Sequence, residues 1–155
     1  MKNYNELKSR IEGIFDSLEI KYSILELEDT DLNYKIQIST IGKLKPLNSI
    51  TCVFYLCEAD MSINLIVGNI YRVYEENDLL FLYKTINSIN MSIINGNFIL
   101  TDDSPKQIFY KSSVNCGDNF SDLDVGLVGF QLNIFTSALE RLIDSLRGEH
   151  FTKEI

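Results

Sequence analysis

LLFLYKTINSINMSIINGNFIL, residues 79–100, holds the two signals that decide the fold. Its first part reads as a helix. Leu79, Leu82, Tyr83, Ile86 and Ile89 recur at spacings of three and four and so share one face. Its last part reads as a strand, 97–101, with Phe98 and Leu100 on one side. Between them, Asn87 and Asn90 are expected as caps where the helix stops, and Asn95-Gly96 as a turn. A helix that gives way to a strand this quickly divides the chain. The N-terminal side is rich in strand patterns; the C-terminal side holds a strand hairpin and a long helix.

Upstream, Leu7, Ile11, Ile14, Phe15 and Leu18 line one face of a helix predicted over 5–18. A loose first strand is predicted over 22–28, ending in the acidic turn Glu26, Glu28, Asp29, Asp31. Residues 34–41 alternate cleanly, with Tyr34, Ile36 and Ile38 against Lys35, Gln37 and Ser39, as a half-buried antiparallel strand does. Residues 50–57 differ, because both faces are apolar: Ile50, Cys52, Phe54 and Leu56 on one side, Thr51, Val53, Tyr55 and Cys57 on the other. That pattern predicts a central strand covered on both faces, by a helix or by a partner. A short turn, 58–60, leads to a further strand over 62–67, completing an antiparallel meander.

Downstream, the turn 102–105 joins strand 97–101 to a partner strand over 107–114. Ser121 with Asp124 three residues on predicts the start of the last helix. Inside it Val125, Val128, Leu132, Phe135, Leu139, Leu142 and Leu146 repeat at alternating spacings of three and four, and Gly148 is expected to end it. The simplest reading buries this stripe on the sheet; the sharper one also lets the helix meet its twin in a homodimer.

The 155 residues suit one domain, spanning 1–155, and 45% hydrophobic residues with 11% aromatic ones argue against disorder. A net charge of −8 with scattered basic residues predicts no nucleic-acid partner and no anionic membrane surface. The first ten residues lack the apolar run of a signal peptide, and the three cysteines read as free thiols, so a cytoplasmic protein is expected. Cys116, in a Gly-flanked loop, reads as an exposed thiol.

The chemistry-bearing residues do not assemble into a reaction. One histidine, His150, lies past the last helix, and no Cys-x-x-Cys occurs, so no metal is predicted. Asp118, Asp122 and Asp124 fail the EF-hand spacing and read as a loop and helix cap. There is no nucleophile elbow, P-loop or dinucleotide fingerprint. No cofactor and no catalytic residue is predicted.

Residues 82–90, LYKTINSIN, followed by 96–100, GNFIL, a second strand and an amphipathic last helix, resemble the YbjN family, also called sensory transduction regulators. Asn87, Asn90 and Phe98 match its helix-end and strand pattern, and the resemblance spans about residues 5–148. It implies the fold of class I type III secretion chaperones and a non-enzymatic, often dimeric domain that binds polypeptide or acts in regulation. The resulting expectation is an α+β domain: an antiparallel sheet of about five or six strands, N- and C-terminal helices on one face, and a middle helix. The expected function is a protein-binding, chaperone-like module with a polypeptide partner. Its expected contact surface is Val53, Tyr55, Cys57, Ile66 and Phe109 on the outer sheet face. Two rivals are a small ligand-binding domain or enzyme with a pocket between sheet and helix, and an acidic immunity- or antitoxin-type binder of a basic protein.

Overall fold

The computed structural model describes residues 4–25, 32–38, 50–73, 79–102 and 106–147. In chain order these are α1 (Tyr4–Ser17), β1 (Lys21–Ile24), β2 (Leu32–Ile38), β3 (Ile50–Cys57) and β4 (Ser62–Val73). Then come α2 (Leu79–Ser92), β5 (Asn97–Leu100), β6 (Lys106–Asn115) and α3 (Val125–Arg147). The strands form one antiparallel sheet in the order β1-β2-β3-β4-β6-β5. β2, β3 and β4 make the expected three-stranded meander, and β1 extends it by pairing antiparallel with β2. After α2, the β5–β6 hairpin places β6 beside β4 and leaves β5 at the edge.

Strand alternation decides where the core sits. Leu32, Tyr34 and Ile36 on β2, Ile50, Cys52, Phe54 and Leu56 on β3, and Ile63, Leu65 and Val67 on β4 are all buried. They meet Leu7, Ile11, Ile14 and Phe15 of α1 and Phe135, Leu139, Leu142 and Leu146 of α3 in one cluster. Phe15 stands edge-on to Tyr34 at 5.3 Å between ring centres and 5.8 Å from Phe54; Tyr110 of β6 lies 4.8 Å from Phe135. Rings at such separations add about 0.5–1.5 kcal/mol each beyond simple burial. The first and last helices thus share one face of the sheet, as predicted, and Leu82, Ile86 and Ile89 bring α2 into the same core.

Several boundaries differ for local physical reasons. The first strand ends at Ile24, and Glu26 to Glu28 lie outside the described residues. β4 runs on to Val73, beyond the predicted end at Val67, because a register irregularity sets Gly68, Asn69 and Ile70 against Phe109 alone and lets pairing with β6 resume at Tyr71. The last helix begins at Val125, not Ser121. The Asp124 carboxylate accepts a hydrogen bond from the Leu127 N–H at 2.8 Å and is itself the cap. The preceding loop is a short 3-10 turn over Asp118–Phe120, with positive φ at Gly117, Asn119 and Phe120. Arg10 of α1 fixes that loop by donating to the carbonyls of Phe120 and Leu123 at 3.0 and 2.8 Å. Gly148 lies outside the described residues.

The segment that decided the fold works differently from the prediction. Asn87 and Asn90 do not cap α2. Asn87 is exposed and donates to the sulfur of Met91, at 3.7 Å. Asn90 clasps β5: its Nδ2 donates to the Phe98 carbonyl at 2.9 Å, and its Oδ1 accepts from the Phe98 N–H at 2.8 Å. A side-chain amide here does what a neighbouring strand would do for an edge residue. Gly96 is required twice. Its φ is +88°, and a Cβ there would lie 2.1 Å from the Tyr110 hydroxyl, which donates to the Asn95 carbonyl at 3.1 Å.

Candidate functional site

The outer sheet face is set by the residues that alternate with the core. Register puts Ser23, Lys35, Val53, Ile66, Lys111 and Asn97 in one row across all six strands. Beside it runs Asn33, Tyr55, Asn64 and Ser113. Cys57 opposes Ser62 at one end, and Phe109 opposes Ile99 near the β5 edge. The five predicted contact residues, Val53, Tyr55, Cys57, Ile66 and Phe109, therefore all lie on this face, and all five are half-buried. Val53 and Ile66 are direct cross-strand partners and form its centre. The described helices pack on the opposite face, so none of them supplies the second cover that the pattern of β3 predicted.

Polar anchors stiffen the end of this face. The Ser62 hydroxyl donates to the Asp60 carboxylate and accepts from the Asn64 amide at 2.9 Å. Asn115 donates to the Asp60 carbonyl at 2.8 Å, tying β6 to the β3–β4 turn. The Ser62 hydrogen bond is also the main reason the Asp60 carboxyl is held below its ordinary range.

Two shallow clefts flank the Val53–Ile66 centre. One, of about 250 Å³, is lined by Lys21, Tyr22, Ser23, Lys35 and Gln37 on β1 and β2. The other, of about 320 Å³, lies at the β5–β6 end and includes Asn97, Ile99, Lys111 and Ser113. Neither is lined by a carboxylate, and among the described residues no carboxylate is buried.

The thiols sort by face. Cys52 and Cys57 point to opposite sides, as their spacing predicts: Cys52 is in the core and Cys57 on the outer face. Burial pushes the Cys52 thiol up to about 12. Cys116 was expected to be exposed and is fully buried, because its N–H donates to the Met61 carbonyl at 2.7 Å and draws the loop inward. Burial raises its thiol to about 11, so it is not a reactive thiolate at neutral pH.

A second apolar surface was missed. Leu80, Tyr83, Met91 and Ile94 form an exposed stripe along α2 and the turn after it, at 66%, 47%, 81% and 85% exposure. The signal was in the sequence: between Leu79 and Ser92 the only charged residue is Lys84, and apolar residues occur on both sides of the helix. A helix hydrophobic all round is one that expects cover all round. The last helix shows the opposite. Its stripe is consumed by the core, apart from half-buried Leu132 and Val125, which is 41% exposed. It buries in addition Ala138, Ile143 and Gln131, whose amide donates to the Ile63 carbonyl and the Ser112 hydroxyl, each at 3.3 Å. Off that stripe, Phe130 of the same helix is 42% exposed.

No family model and no curated protein matches this sequence. Solved structures do match in fold. One is the crystal structure of YbjN, a candidate transcription regulator from E. coli, at 12% identity with 89% of each chain covered and a TM-score of 0.55. Another is a chain in the HopA1–SchA chaperone–effector complex, at 13% identity, covering 96% of this chain and 98% of that one, with a TM-score of 0.54. The chain has the fold shared by these structures, as the Asn87, Asn90 and Phe98 pattern implied.

Proposed function

We propose that this protein is a non-enzymatic, chaperone-like module that binds a polypeptide across the outer face of its sheet. One observation carries the reading: Val53 and Ile66, with Tyr55, Cys57 and Phe109 around them, form an apolar centre that no described helix covers. The fold shared with a chain of a chaperone–effector complex supports a polypeptide as the occupant. The shallow, carboxylate-free clefts support contact along a surface over turnover of a small molecule.

The same reading makes the protein a homodimer, joined through the exposed stripe of α2, and places it in the cytoplasm, where Cys52, Cys57 and Cys116 stay reduced. The test compares affinity capture from native extract by the wild type and by Val53→Asp/Ile66→Asp. Polypeptides held by the wild type and lost by the variant are the expected result. Repeated capture of no polypeptide by either would sink the proposal. For the dimer, light scattering of a monomer at high concentration would do the same.

A further inference from the structure

The outer face carries a charge opposite to that of the chain. The six described strands contain no acidic residue, whereas Lys21, Lys35, Arg72, Lys106 and Lys111 lie within them. Register puts Lys21, Lys35, Lys111 and the backbone position of Arg72 on the outer face, and Lys21, Lys35 and Lys111 are exposed. Among the described residues none of the three has a carboxylate partner, in contrast to Lys8, paired with Glu12, and Lys106, paired with Asp102. Within the row that crosses all six strands, Lys35 and Lys111 directly flank the central pair, Val53 and Ile66. With neighbouring strands about 4.8 Å apart, three steps separate them, roughly 14 Å of backbone. Each also lines one of the two flanking clefts, with Lys21 beside Lys35.

We infer that the polypeptide bound on this face is an acidic amphipathic segment. Apolar side chains sit on Val53 and Ile66, and carboxylates on either side reach Lys35 with Lys21, and Lys111. This rests on the protein-binding reading of the same face and specifies its partner. The required spacing between the flanking carboxylates is about four residues in an extended segment or about nine to ten in a helix. The net charge of −8 does not oppose contact at short range, because at physiological salt charges beyond about 8 Å are screened. It slows the approach of an acidic partner, and the local lysines then decide what stays. Single-stranded nucleic acid fits less well, since Val53 and Ile66 between the lysines offer no ring for bases to stack on, and the rings on this face, Tyr55 and Phe109, lie outside that row.

The test uses the full-length protein and three fluorescein-labelled amphipathic helical peptides of equal apolar content. Their flanking positions are Glu, Gln or Lys. The Glu peptide is expected to bind about tenfold more tightly than the Gln peptide, from two or three partly exposed pairs. Lys35→Glu/Lys111→Glu should reverse the order in favour of the Lys peptide, with an unchanged circular dichroism spectrum. Equal binding of all three peptides, abolished by Val53→Asp/Ile66→Asp, would overturn the acidic partner and leave the protein-binding reading standing. Failure of all three at millimolar concentration would overturn both. Displacement of the Glu peptide by a poly-dT oligonucleotide would assign the lysines to nucleic acid instead. A change in sedimentation of the Lys35→Glu/Lys111→Glu protein would assign the face to a second copy of this chain.

Discussion

On β3, Ile50, Cys52, Phe54 and Leu56 are at most 5% exposed, whereas Val53, Tyr55 and Cys57, one residue away in each case, are half-buried. The two faces of this strand have similar hydrophobicity and different fates. The inner one meets α1 and α3, which were legible as amphipathic stripes, while the outer one meets lysines on either side and no described helix. α2 and α3 repeat the contrast. α3 spends its stripe on the core, whereas α2 buries Leu82, Ile86 and Ile89 and still exposes Leu80, Tyr83 and Met91. Apolar surface in excess of what the core can use is what a binding module needs, and it raises the cost of remaining alone in solution.

The comparison breaks first at its inner side. Phe54→Ala should destabilise the protein by about 3–5 kcal/mol, read by urea denaturation, because a fully buried ring leaves a cavity. A loss below about 1 kcal/mol would mean that the core is not centred on this face. Next is the clasp. Asn90→Ala strands both the N–H and the carbonyl of Phe98 at the sheet edge and should cost about 2–3 kcal/mol, with faster hydrogen exchange confined to β5. Asn87→Ala, which removes one contact to Met91, should change little.

The thiols sharpen the contrast through pH. Burial holds Cys52 up at about 12 and Cys116 at about 11 in the folded protein, against an ordinary value of 9.0. The folded state keeps these protons longer than the unfolded one. Their contribution is therefore complete below about pH 9 and is lost as the pH climbs through 9 towards 11 and 12. Each thiol lowers stability by roughly 1.4 kcal/mol per pH unit in that window. In Cys52→Ala, and likewise in Cys116→Ala, the alkaline slope should be shallower by one proton's worth. On the outer face the expected effect is small, and Ile66→Ser should shift stability by less than about 1 kcal/mol, since its side chain is only half-buried.

Periodicity made the sheet legible wherever one period ran uninterrupted. β3 begins and ends where its pattern does, and the inward stripe of α1 was visible as Leu7, Ile11, Ile14 and Phe15. Features built from single side chains reaching across the fold were not. Asn90 looks like any helix-end asparagine until β5 is beside it. Arg10 looks like a solvated charge until the loop before α3 presents two carbonyls, and Gln131 sits on a helix whose apolar repeat draws attention elsewhere. The candidate surface was legible as a set of residues, because β3 is apolar on both sides. Its charge was not, because net charge averages over a chain in which the acids avoid every described strand.

The most direct measurement is selection of binders from a random peptide-display library, with their affinities then compared between the wild type and Val53→Ser/Ile66→Ser. Enriched peptides are expected to lose at least tenfold in affinity for the double variant while its urea midpoint stays close to that of the wild type. Enriched peptides that bind both proteins equally, or no enrichment at all, would contradict a binding surface centred on Val53 and Ile66.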